Sequence, residues 1–290
     1  MADRRPKLAV LGLGTMGRAM AASALRQGLP TIVWNRNPEA ARGLVEQGAQ
    51  VETSVADAVR GADVVITMVT DAAAVGSIAV DLGMLQALPT GAVWAQMSTI
   101  GVDGTATIDS IVESRRPDVL FLDAPVSGSK VPAEEGRLTI FASGSERARP
   151  VVDPVFEAVG QRTVWLGPVG MGTRMKLVNN TLLAFSAEGV ANALALARRL
   201  GLDVRSVADT VAGGPLVSPW MSGKLARMEE GDYSPEFPLD LALKDVRLAL
   251  AEADPQRFAV LSSLAREWAM VVEAGFGGQD VTVVSRTLEP

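Results

Sequence analysis

Apolar residues come first in short unbroken runs and later in long helical stretches, and the change falls near Gly167. Residues 7–11, 31–34, 64–68, 92–96, 120–122, 138–143 and 164–166 are runs of the length and apolarity of buried strands. An alanine-rich helix is predicted over 16–27 and another over 146–159. Strand alternating with helix predicts a mainly parallel, doubly wound sheet. Residues 170–200 contain no proline, and Gly189 is the one glycine far from the start, at about 1 kcal/mol against alanine. A single long helix is the natural reading, roughly 45 Å at 1.5 Å per residue, which is more than one small domain needs. Beyond Leu200 strand-like runs vanish, and helices are predicted over 204–211, 241–253, 256–274 and from Val281 onward, with Pro215, Pro219, Pro235, Pro238 and Pro255 between them. The expected architecture is an α/β domain over 1–167 and an all-helical domain over 168–290, joined by the long helix.

Polar chemistry gathers where these runs end. Gly12-Leu13-Gly14-Thr15-Met16-Gly17 stands between the first strand and its helix. In that setting Gly12 permits the tight turn, Gly14 lets backbone approach a pyrophosphate, and Gly17 lets helix pack on strand, so a dinucleotide is the expected ligand. The next strand ends in Trp34-Asn35-Arg36-Asn37, where a site for NAD would carry an acid. Arg36 can pair with a 2′-phosphate and Asn35 can donate to it, which favours NADP(H), although Arg36 lying over the adenine is the simpler alternative. Met68-Val69, Thr99, and Ser127-Gly128 follow later strand ends; there a nicotinamide ribose and a small carboxylate would find donors, as would an ordinary turn. On the long helix Lys176, Asn179 and Asn180 put an ammonium beside two carboxamides, a set suited to a carbonyl oxygen and also to an exposed helix face.

Composition narrows the chemistry. The 290 residues include neither histidine nor cysteine, so the commonest general base, disulfides, a cysteine zinc site and a thiol nucleophile all drop out. No metal site is expected. A net charge of −6 speaks against a nucleic-acid partner held by bulk electrostatics. The first apolar run breaks at Gly12, too early for a secretory leader, and nothing reaches 18 apolar residues in a row; a cytoplasmic protein without a membrane segment is the expectation.

Four motifs in order carry a resemblance over nearly the whole chain: Gly12 to Gly17, Asp123-Ala124-Pro125-Val126-Ser127-Gly128-Ser129, Lys176-Leu177-Val178-Asn179-Asn180, and Lys244-Asp245. Together they resemble the β-hydroxyacid dehydrogenase family, and residues 33–36, 126–136 and 237–239 look like its glyoxylate/succinic semialdehyde reductase branch. The resemblance implies a Rossmann-type domain followed by a helical domain that forms dimers or tetramers. It implies Lys176 as general acid/base with Asn180 on the substrate oxygen, and Ser127, Gly128 and Asn179 around a carboxylate-bearing aldehyde or hydroxy acid. The cofactor NADP(H) would lie against Gly12, Leu13, Gly14, Thr15, Met16, Gly17, Asn35, Arg36, Met68, Val69, Thr99 and Lys244. The family's substrate wall has no evident counterpart here, and residues 213–220 are the candidate for it. An imine reductase of the same plan and a non-catalytic NADP-binding scaffold are the competing readings; Lys176 speaks against both.

Overall fold

The structure is a computed structural model and describes residues 5–288. It divides into two compact units, with the division inside the long helix, between Lys176 and Leu177.

Among the described residues the first unit is built on nine strands: β1 (Leu8–Leu11), β2 (Thr31–Trp34), β3 (Gln50–Val51), β4 (Val64–Thr67), β5 (Val93–Gln96), β6 (Leu120–Asp123), β7 (Val126–Ser127), β8 (Leu138–Gly144) and β9 (Gly160–Trp165). Their order is β3-β2-β1-β4-β5-β6-β8-β7, with β9 beside β8. The first six are parallel in the doubly wound order expected of a dinucleotide fold. Every residue of β1, β4 and β5 is buried, because helices cover both faces, and this is why their sequences read as apolar runs without alternation. On one face Trp94 meets Phe121 edge to face at 5.0 Å, and its indole N–H is satisfied by Thr67 Oγ1 at 3.0 Å. After β6 the sheet turns antiparallel through β7 and β8, which re-aims the chain toward the long helix.

Among the described residues the second unit has no strand, only one isolated bridge between Pro238 and Asp280. Its core gathers Ala187, Ala191 and Leu194 of the long helix (Met171–Arg199) with Leu225, Leu243, Leu264 and Trp268. Trp268 is 1% exposed and donates its indole N–H to Glu188 Oε2 at 2.8 Å. A helix over Pro219–Glu230 is absent from the sequence expectation; Ser218 caps it by accepting from the Met221 N–H, and Pro219 is tolerated in the first turn, where its missing N–H has no intrahelical partner to lose. Residues 213–220, expected as a substrate wall, thus form a turn and this helix start, with Trp220 packed against the unit's core. Lys224, on the same helix, is buried against Asp280 at 3.0 Å and Glu236 at 3.1 Å. Among the described residues no helix is long and apolar enough to cross a membrane.

Candidate active site

In the first unit the sequence-predicted residues collect at the carboxyl ends of neighbouring strands. β1 runs into Gly12, whose φ is +100° and whose Cβ would stand 2.3 Å from the Met68 carbonyl oxygen, so only glycine fits. Gly17 is equally constrained, since a Cβ there would lie 2.0 Å from the Gly12 oxygen. Gly14 differs. Its φ is −66° and an added Cβ meets nothing within 4 Å, so the protein's own packing does not demand glycine there. The helix that follows, Thr15–Arg26, has no side-chain cap, so its first N–H groups keep their partial positive charge without a side-chain acceptor.

Asn35, at the end of β2, is drawn into the loop itself. Its Oδ1 accepts from the Leu13 N–H at 2.9 Å, and its Nδ2 donates to the Asn37 carbonyl at 2.9 Å. It therefore clamps the glycine turn to β2 and keeps only one amide hydrogen for a ligand, while Arg36 beside it is exposed. At the ends of β4 and β5, Ser98 fastens the two loops together: its Oγ accepts from the Val69 N–H at 2.9 Å, and its backbone is bracketed by the Gln96 carboxamide at 2.7 and 2.9 Å. Thr99 and Met68 emerge half-buried on either side of this stitch. Ser127 is half-buried on β7, opposite Thr139, and Gly128 follows at φ +134°, where a Cβ would press within 2.6 Å of Leu138 Cδ2.

Asp123, the last residue of β6, is fully buried and holds the start of the long helix. One carboxylate oxygen accepts from the Thr173 N–H at 2.7 Å and the other from Thr173 Oγ1 at 2.7 Å, while Ser143 Oγ donates at 3.1 Å. Burial raises its pKa above the ordinary carboxylate value, and the Thr173 and Ser143 hydrogen bonds oppose that rise. Lys176 sits half-buried one turn further along.

The second unit brings together Asn179, Asn180 and Lys244. Asp245, 4% exposed, accepts from Asn180 Nδ2 at 2.5 Å and pairs with Lys244 Nζ at 3.0 Å. Asn179 donates to Asn180 Oδ1 at 3.0 Å. The long helix is unbroken from Lys176 to Asn180, and a spacing of four keeps both on one of its faces. The expectation missed the roles of Asp123, Ser98 and Asp245. Asp123 and Asp245 stand inside the motifs of the resemblance, which assigns the chemistry to their neighbours.

Two sequence profiles divide this chain between them: the NAD binding domain of 6-phosphogluconate dehydrogenase matches residues 7–167, and the NAD-binding region of NADP-dependent 3-hydroxyisobutyrate dehydrogenase matches residues 170–288. The chain belongs to the 3-hydroxyisobutyrate dehydrogenase-like β-hydroxyacid dehydrogenase family. Within this β-hydroxyacid dehydrogenase family it is 36% identical to glyoxylate/succinic semialdehyde reductase 1 of Arabidopsis thaliana over 245 residues, 84% of each chain. It is 33% identical to the NAD-dependent L-serine dehydrogenase of Pseudomonas aeruginosa over 294 aligned positions, 98% of each. Its fold superposes on the crystal structure of 3-hydroxyisobutyrate dehydrogenase from Salmonella typhimurium with a TM-score of 0.88 at 29% identity, covering 97% of this chain and 99% of that one. A nicotinamide cofactor, the common requirement of this dehydrogenase family, fits the residues present: the open space above Gly14 and the uncapped helix start would accept a pyrophosphate that a side chain there would block.

Proposed function

We propose that the chain is an NADP(H)-dependent oxidoreductase that interconverts a small carboxylate-bearing aldehyde, of the glyoxylate or succinic semialdehyde type, and its hydroxy acid. The observation that carries this reading is the helix with Lys176 and Asn180 on one face, started by Asp123 and held further along by Asp245. When bound, the nicotinamide supplies or takes the hydride. Lys176, as an ammonium, gives its proton to the carbonyl oxygen, and as a neutral amine it takes the hydroxyl proton in the reverse direction. Asn180 has two amide hydrogens; one is committed to Asp245, and the other is assigned to the substrate oxygen, where charge develops. Ser127 and the Gly128 backbone are assigned to the substrate carboxylate, with Asn179 beside them, and Lys244 to the cofactor.

The preference for NADP(H) rests on Arg36, exposed at the end of β2 where an acid would repel a 2′-phosphate. A homodimer or larger homo-oligomer is supported by the exposed stripe Met171, Met175, Val178, Leu182 and Phe185 on the long helix, whose spacing is that of a helix seam awaiting a partner helix.

The test follows absorbance at 340 nm with NADPH and with NADH against glyoxylate, succinic semialdehyde, tartronate semialdehyde and a cyclic imine, and in reverse with NADP⁺ or NAD⁺ and L-serine. Turnover of an aldehyde with NADPH, reduced at least 100-fold by Lys176→Ala, is the expected result, since general acids of this kind contribute about 10² to 10⁴ in rate. Retention of more than about a tenth of the rate by Lys176→Ala refutes the assignment of Lys176, and turnover of the imine alone refutes the substrate class.

A further inference from the structure

The four N–H groups at the start of any helix lack intrahelical partners. In the long helix they fall to Gly170, Met171, Gly172 and Thr173, because the first intrahelical bond runs from the Arg174 N–H to the Gly170 oxygen. Gly170, at φ +90°, has no side chain with which to cap them. Three of the four are nonetheless hydrogen-bonded, two of them to a single cluster on the sheet. The Thr173 N–H goes to Asp123 Oδ2 at 2.7 Å, and the Gly172 N–H goes to Ser143 Oγ at 2.9 Å. Met171 turns to the Pro168 carbonyl at 3.3 Å. Ser143 is itself bonded to Asp123, and the Thr173 hydroxyl lies between Asp123 Oδ1 and Thr105 Oγ1, at 2.7 and 2.9 Å. Asp123, Ser143, Thr105 and Thr173 are each at most 1% exposed. The fit is close: a Cβ on Gly172 would stand 2.2 Å from the Phe141 oxygen and 2.7 Å from the Asp123 oxygen. A carboxylate contributed by β6 thus replaces the missing cap and presses the first turn onto the sheet.

We propose that Asp123, acting with Ser143, is the positioning residue for Lys176, fixing the turn that carries the ammonium. The inference rests on the assignment of Lys176 as the general acid. Asp123 touches neither substrate nor cofactor in this role; it sets where the lysine stands. A helix start left uncapped frays, and a shift of about 1 Å in a reacting group lowers turnover by about 10²-fold while leaving binding of the remaining groups intact.

The experiment compares full-length wild type with Asp123→Ala, Asp123→Asn, Ser143→Ala and Lys176→Ala. Amide hydrogen exchange is measured over residues 170–176, together with kcat and KM for succinic semialdehyde and the Kd of NADPH. Asn is the conservative rescue: its oxygen still accepts from the Thr173 N–H, and its amide donates to the Thr173 hydroxyl, which then donates to Thr105. Asp123→Ala is expected to speed exchange at residues 172 and 173 at least tenfold and to lower kcat about 10- to 100-fold, with KM and Kd within about threefold. Asp123→Asn is expected to recover most of both, and Ser143→Ala to give a smaller change of the same kind at residue 172. Should Asp123→Ala fail to fold, Ser143→Ala and Asp123→Asn carry the same comparison. Unchanged exchange at the helix start overturns the proposal, and so does faster exchange with undiminished kcat. If Lys176→Ala is itself active, the assignment of Lys176 fails and the proposal with it; an inactive Lys176→Ala beside a fully active Asp123→Ala rejects Asp123 alone.

Discussion

Asp245→Ala removes the carboxylate that holds Asn180 and Lys244 at once. The Asn180 bond is short, 2.5 Å, and its acceptor is 4% exposed, so it belongs among the charge-assisted hydrogen bonds worth about 1.5 to 3 kcal/mol. The Lys244 pair at 3.0 Å has a lysine side chain 28% exposed, and solvent screening leaves it under about 1 kcal/mol. If the Asn180 amide serves the transition state, its release lowers kcat/KM by about 2 to 3 kcal/mol, or about 30- to 150-fold. The two arms separate in steady-state kinetics with NADPH and succinic semialdehyde. Asp245→Asn keeps an acceptor for Asn180 but loses the ion pair, so it is expected to recover most of kcat while KM for NADPH stays raised. A double-mutant cycle of Asn180→Ala with Asp245→Ala measures whether the carboxylate acts through the carboxamide. Coupling above about 1 kcal/mol is expected. Additive losses within about 0.5 kcal/mol, or a single-variant loss below about threefold, refute the reasoning.

Arg36→Glu is expected to weaken NADPH about 10- to 100-fold and to leave or improve NADH, read as the ratio of their dissociation constants by fluorescence titration; an unchanged ratio removes Arg36 from cofactor selection. Gly14→Ala is expected to leave the midpoint of urea unfolding within about 0.5 kcal/mol of wild type, because its Cβ meets nothing within 4 Å, yet to weaken NADPH at least about tenfold; equal binding would show that no phosphate approaches there. Lys224→Met strands the fully buried Asp280 carboxylate, which the lysine contacts at 3.0 and 3.2 Å, and is expected to destabilise the protein by about 3 to 5 kcal/mol at pH 7 in urea unfolding. The pH dependence of that loss has a definite sign. Burial works to raise the Asp280 pKa, but Lys224 and the Phe237 and Thr282 N–H groups bring it below the ordinary carboxylate value. The stabilisation is therefore complete above the unfolded pKa of about 4 and is lost as pH falls through the lower folded value, so the gap between wild type and Lys224→Met is expected to narrow in acid. A gap independent of pH from 7 to about 3 contradicts it.

What the sequence made legible was local. The glycine turn after β1 could be read because strand, turn and helix are contiguous, and Gly12 and Gly17 each answer to a neighbour within that unit or to the strand beside it. The long helix could be read because its sequence carries no proline to break it. β3 could not: Gln50 and Val51 are strand only because β2 lies beside them, with Val33 opposite Val51. The helix over Pro219–Glu230 was hidden by the prolines around it, which argued for loop, although Ser218 before Pro219 is a start signal in its own right.

The candidate site divides along the same line, and the division has a physical cause. Lys176, Asn180 and Ser127 belong to side-chain types that do chemistry, so composition without histidine or cysteine points toward them. The carboxylates that hold the first two show only in three dimensions. Asp123 stands 50 residues before Thr173, and Asp245 stands 65 residues after Asn180. A capping rule inspects the residue before the helix, and there it finds Gly170, which says nothing. Yet the obligation was countable from sequence: a helix that begins after a glycine and is packed tightly on a sheet must find acceptors for its first N–H groups elsewhere. Here the acceptor is a buried acid at the end of an earlier parallel strand, β6, whose Asp123 meets Thr173 at the helix start. The motif 123–129 therefore joins two tasks, its first residue seating the helix and its serine and glycine proposed for the substrate carboxylate. A substitution at Asp123 and one at Ser127 are then expected to separate in kinetics, the first in kcat and the second in KM.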